Sequence, residues 1–157
     1  MYDKPIALNE DGVPMDEKDV ERIWIDYARK AGLFAVHIEN IGSSMPDTLL
    51  IWKGITIFQE VKIQRGNLVY FQQYQWSNFA RMRHSCHPWQ LGIVVWKDDI
   101  FKIFSFDSIK ETGAEPAAKG KVKVNLGLLE PLYTVADHYE FTQYLEWLRS
   151  KIWKKKA

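Results

Sequence analysis

The stretch that decides the fold runs from Met45 to Lys62, MPDTLLIWKGITIFQEVK. Residues 47–53 and 55–62 are two β-prone runs flanking a tight Lys53-Gly54 turn. Glycine at the second turn position supplies the positive φ that a two-residue hairpin needs. Both faces of the hairpin are rich in apolar residues, so it is expected at the centre of a sheet, covered on two sides. A two-residue turn places Trp52 opposite Ile55, and stepping back along both strands places Asp47 opposite Glu60. Directly opposed residues have Cβ atoms about 4.5–5.5 Å apart and point to one face. Lys62, two residues beyond Glu60, shares that face.

Two carboxylates this close repel each other unless a positive charge lies between them. Hard carboxylate oxygens suit Mg²⁺ or Mn²⁺. A lysine beside such an ion can orient or polarise a water, and the ion stabilises charge on a phosphate under attack. The chemistry expected of Asp47, Glu60 and Lys62 is therefore phosphodiester hydrolysis.

Working upstream, Val20, Ile23, Trp24, Tyr27, Ala28 and Ala31 form one apolar stripe at helical spacing. Asp16 is the expected N-cap and Gly32 the stop. Residues 33–39 read as a strand, and residues 1–15 as an N-terminal arm. Downstream, 69–83 reads as a polar-aromatic helix, and 91–96 with 100–106 as a second hairpin around Asp98-Asp99. Residues 107–133 read as an irregular insertion or loop, 137–153 as a last helix, and 154–157 as a basic tail. The order predicts a single α/β domain, a central mixed β-sheet flanked by helices.

The motif resembles the core of the PD-(D/E)xK nuclease superfamily: Pro46-Asp47, a strand, a turn, a second strand, then Glu60-Val61-Lys62. VERIWIDYARKAGLFAV is similar to the first helix and strand of archaeal Holliday-junction resolvases and of virus-type replication-repair (VRR-NUC) nucleases. Those carry a helix glutamate, here Glu21, and a glycine before the strand, here Gly32. The link ENIGSSMPD is also similar to theirs. Gly66, Gln72 or Gln73, and Trp76 stand where VRR-NUC-like members have a glycine, then a glutamine and an aromatic. The family often has a glycine where this chain has Ser44. The resemblance covers roughly residues 17–100 and implies a restriction-endonuclease-like core. It implies Glu21, Asp47 and Glu60 as metal ligands, with the Val61 carbonyl completing the site. Lys62 would serve the water and Gln73 would support the site or the scissile phosphate. Glu17, one turn earlier, is the alternative helix acid. The activity implied is a Mg²⁺- or Mn²⁺-dependent endodeoxyribonuclease acting on Holliday-junction or other branched DNA, as a homodimer. It would serve recombination, repair or phage replication. A nickase, a flap nuclease, a restriction-like enzyme and an inactive DNA-binding module are the alternatives.

Composition bounds the reading. The 157 residues carry 21 basic and 20 acidic side chains, a net charge of +1, with 14% aromatics. That balance excludes a uniformly basic nucleic-acid coat, and the aromatic load excludes a disordered chain. The average hides a division: six basic and eleven acidic residues through Glu60, fifteen and nine after it. The candidate DNA contacts are Ser43 and Ser44, then Arg65, Arg81 and Arg83, interleaved with Tyr70, Tyr74 and Trp76, and then the alternating Lys119, Lys121 and Lys123. His84, Cys86 and His87 fall short of a zinc site and read as a polar loop. His37 reads as a core or rim histidine. One cysteine leaves no intramolecular disulfide. No apolar run is long enough to span a membrane, no secretory signal is visible, and a cytoplasmic location is expected, in a host cell if the source is a phage.

Overall fold

The computed structural model describes residues 15–38 and 45–152. In chain order these form α1 (Glu17–Lys30), β1 (Phe34–His37), β2 (Thr48–Trp52), β3 (Ile55–Ile63), β4 (Leu68–Gln72) and α2 (Gln73–Arg83). Then come β5 (Leu91–Lys97), β6 (Ile100–Ser105), α3 (Phe106–Glu111), β7 (Glu115–Ala117), β8 (Lys121–Asn125), β9 (Tyr133–Val135) and α4 (His138–Ile152). The larger sheet has six strands in the order β1-β2-β3-β5-β6-β9, and a smaller one has the order β4-β8-β7. The β3–β5 pair is parallel and the other pairs are antiparallel, so the expected mixed sheet is present. A parallel pair requires a crossover; β4 and α2 supply it.

The central hairpin has the register read from its turn. Trp52 pairs with Ile55 and Thr48 with Gln59, without interruption between them. Lys53 and Gly54 both have positive φ, 48° and 81°, as a type I′ turn requires. The second hairpin turns at Asp98 and Asp99, at φ 54° and 66°. Helix α1 starts at the expected cap: Asp16 accepts from the Asp19 N–H at 2.9 Å, and Asp19 accepts from the Asp16 N–H at 3.0 Å. It ends before Gly32, at φ 89°.

The strands of the larger sheet bury both faces. Ile57, Val61 and Val94 point toward α1 and α4, where Trp24, Phe101, Phe141 and Tyr144 pack edge to face or tilted. Ile93, Val95 and Phe104 point the other way, against Phe79 of α2, Phe106 and Ile109 of α3, and Val69, Phe71 and Val124 of the small sheet. Each such side chain contributes about 1.5–3 kcal/mol of burial. Buried Gln59 sits in the first layer, where its carbonyl accepts from the Trp24 indole at 2.7 Å and its amide donates to the Tyr144 hydroxyl at 3.0 Å.

Two segments depart from the sequence reading. Residues 68–72 are a strand and the helix starts only at Gln73. The reason is a period of two: Val69 and Phe71 are buried while Tyr70 is exposed. Residues 107–133 are not irregular throughout. They complete α3, supply β7 and β8 and begin β9, with Val122 and Val124 turned inward on either side of Lys123. The basic tail, and the arm before Met15, lie outside the described residues.

Candidate active site

The end of the central hairpin next to β1 gathers the acids. The Ile38 N–H donates to the Asp47 carbonyl at 2.7 Å, tying this residue to the end of β1. The Asp47 N–H donates to Glu60 Oε1 at 3.0 Å, and the Val61 N–H to Asp47 Oδ2 at 3.3 Å. Each carboxylate is thus fixed by main chain on the opposite strand. Glu60 is only 2% exposed. Its Oε2 accepts from Gln75 Nε2 of α2 at 3.2 Å and lies 3.5 Å from Lys62 Nζ. Lys62 is itself buried, and its ammonium rests over the Phe71 ring of β4, 5.2 Å from the centroid. The small sheet therefore forms one wall behind the lysine.

Glu21 arrives from α1. It is buried, and its carboxylate is bonded to Nδ1 of His37 on β1. Burial foremost, and then the charge of Asp47, push the Glu21 carboxyl up to about 7, against the opposing pull of His37. Glu60 is also held well above the ordinary carboxylate range, by burial first and by Asp47 second, with Lys62 opposing. Glu17 is exposed and accepts from the Ile63 N–H at 3.2 Å. Of the two helix acids, Glu21 is the one buried and repelled by Asp47. Among the described residues, no three His, Cys, Asp or Glu side chains stand gathered so as to hold a metal ion in this geometry.

The remaining candidates divide. Gln73 is exposed; the glutamine that reaches Glu60 is Gln75, and it stands in the same run, QQYQ. Ser43 and Ser44 lie outside the described residues. Arg65 and Lys121 line an open cleft of about 600 Å³ beside Lys62, together with Lys18, Tyr70, Asp16 and Glu17. Arg83 turns away from any such role: its Nε bonds both carboxylate oxygens of Asp107 at 2.9 Å, and another nitrogen donates to the Cys86 carbonyl. It joins α2 to α3. Arg81 is exposed. Lys123 lies 3.7 Å from Glu115, and Lys119 occupies a left-handed turn at φ 62°. Trp76 packs on Phe71 and Phe106, whereas Tyr70 and Tyr74 are 41% and 47% exposed. His87 caps a short 3-10 turn by accepting from the Trp89 N–H. Beyond Gln75, the sequence reading missed the His37–Glu21 contact. The alternation of His37 with apolar neighbours was the available signal for it.

No protein-family model matches the chain, and no curated protein matches it. Among solved structures, it is similar to Hjc, a Holliday junction resolvase from the archaeal hyperthermophile Archaeoglobus fulgidus. The identity is 17% and the TM-score 0.48, over 69% of this chain and 83% of that one. It is also similar to the bacterial homing endonuclease I-Ssp6803I, at 14% identity and a TM-score of 0.49, over 88% of this chain and 92% of that one. The likeness is one of fold alone.

Proposed function

We propose that the chain is a divalent-metal-dependent endodeoxyribonuclease that hydrolyses phosphodiester bonds in branched DNA, such as a Holliday junction. The observation that carries this reading is the direct opposition of Asp47 and buried Glu60, with Lys62 on the same face 3.5 Å from Glu60. Glu21, Asp47, Glu60 and the Val61 carbonyl are the residues that would hold Mg²⁺ or Mn²⁺. The donor set fits: it is all hard oxygen. Glu21 and Glu60 hold protons too strongly because their anions are buried beside Asp47, and a divalent cation relieves that same penalty. Such an ion supplies Lewis acidity and charge stabilisation to the phosphate.

The chain's own residues do the positioning. The Asp47 N–H, just before β2, and the Val61 N–H of β3 hold the two carboxylates, and Gln75 fixes the second oxygen of Glu60. The Phe71 ring and Glu60 hold the Lys62 ammonium at the cleft, where it can orient a water or steady negative charge on a phosphate oxygen.

The test is cleavage of four-way junction, flap, linear duplex and single-stranded DNA with Mg²⁺, Mn²⁺ or EDTA. Cutting with either metal and none in EDTA is expected. Asp47→Asn should lower the rate by on the order of 10³-fold, the scale of losing a principal charge-stabilising group, with an unchanged circular dichroism spectrum. Full activity of that variant would overturn the site assignment. Absence of cutting on every substrate would leave a DNA-binding module.

A further inference from the structure

We infer that the outer face of the small sheet is a platform for unpaired nucleotides adjoining the scissile phosphate. The inference rests on the nuclease reading for where that phosphate lies, and it narrows the branched substrate to DNA with a single-stranded segment beside the cut, a flap rather than a fully paired four-way junction. Strands β4 and β8 alternate strictly. Val69, Phe71, Val122 and Val124 face the core. Tyr70, Gln72, Lys121 and Lys123 face outward, with Tyr70 paired to Lys123 and Gln72 to Lys121. Tyr70, 41% exposed on a regular strand, offers its ring to solvent. Such a ring stacks on any base.

The charges complete the surface. Tyr70 and Lys121 line the same cleft as Lys62, with Arg65 at the β3–β4 turn and Lys18 on α1. Four cations thus line the cleft that the exposed ring also lines, which matches a strand that alternates bases with phosphates. Asp16 and Glu17 lie on the α1 wall of the cleft, so the phosphates are directed toward the small-sheet wall. A base already stacked within a continuous duplex offers Tyr70 only its edge. An unpaired base offers its face.

The test separates binding from cutting. Anisotropy is measured in EDTA with a labelled oligothymidylate, a blunt duplex and a duplex bearing a single-stranded flap. The wild-type chain should bind the single strand and the flap more tightly than the blunt duplex. Tyr70→Ala should weaken those two by about 5- to 150-fold, the range of one base–aromatic stack, and leave the duplex little changed. Tyr70→Trp should restore the preference, which a merely structural role of the tyrosine would not predict. Lys121→Ala should reduce the salt slope of single-strand binding by about 0.7. Equal affinity of the wild type for flap and blunt duplex, or equal losses on all three probes in Tyr70→Ala, would overturn the platform. Cleavage of blunt duplex alone would leave the nuclease standing without it. Flap-selective binding with no cleavage in any metal would leave the platform standing without the nuclease.

Discussion

Glu21 shows how much one side chain carries. Its carboxyl titrates near 4.5 in an unfolded chain and is raised to about 7 in the fold. Between those values the folded form holds a proton that the unfolded form has released. Stability therefore falls as pH rises through that window and levels off above it. Glu60 acts in the same direction. Thermal melts in EDTA should show the melting temperature declining from about pH 5 to about pH 7, and Glu21→Gln should flatten the decline. A flat wild-type profile would show that neither acid is held protonated. Added Mg²⁺ should raise the melting temperature more at about pH 8 than at about pH 5, because binding requires the deprotonated acids. Asp47, Glu60 and Lys62 were legible as neighbours in the sequence because strand pairing converts residue number directly into geometry, whereas Glu21 on α1 was named only through the resemblance of the first helix. The glutamine was not: Gln72, Gln73 and Gln75 share a short polar run, and only the start of α2 decides which one reaches Glu60.

The hairpins fix where the acids meet, and their turns store strain that can be measured. Lys53 holds a left-handed conformation at φ 48°, which costs an ordinary residue roughly 1–2 kcal/mol and asparagine less. Lys53→Asn should therefore stabilise the chain by up to about 1 kcal/mol, raising the melting temperature by about 2–4 °C without changing cleavage. A lower melting temperature would mean that the Lys53 ammonium, 5.3 Å from the Trp52 ring centroid, outweighs the turn. Five strands of the larger sheet were readable because they lie in apolar runs bounded by clear turns; its edge strand β9, three residues long, was not. The small sheet was hidden for two reasons. VYFQ is too short for its period to stand out beside a helix that follows without a break. Its partner strand lies some fifty residues on, in a stretch whose glycines and lysines resemble a loop. Pairing at that distance is a property of the folded chain, and local pattern does not encode it.

At the scale of the whole molecule, a net charge of +1 describes neither side of the cleft. Asp16 and Glu17 in the cleft, and Asp47 on the neighbouring hairpin, repel a phosphate, while Lys18, Lys62, Arg65 and Lys121 attract one. Nucleic-acid affinity should therefore respond to two ions in opposite senses. Monovalent salt weakens binding, because each phosphate contact releases a counterion. A divalent cation strengthens it by offsetting the acids. If Asp47 is the acid that a cation chiefly neutralises, removing its charge should mimic the cation. In EDTA, Asp47→Asn should then bind flap DNA more tightly than the wild type does. On addition of Ca²⁺, the wild type should gain affinity and the variant should gain much less. Anisotropy titrations at one fixed ionic strength decide this, since a change in total salt would shift both proteins together. Equal gains in the two proteins would place the cation's effect elsewhere on the surface and detach metal binding from the opposed pair on the central hairpin.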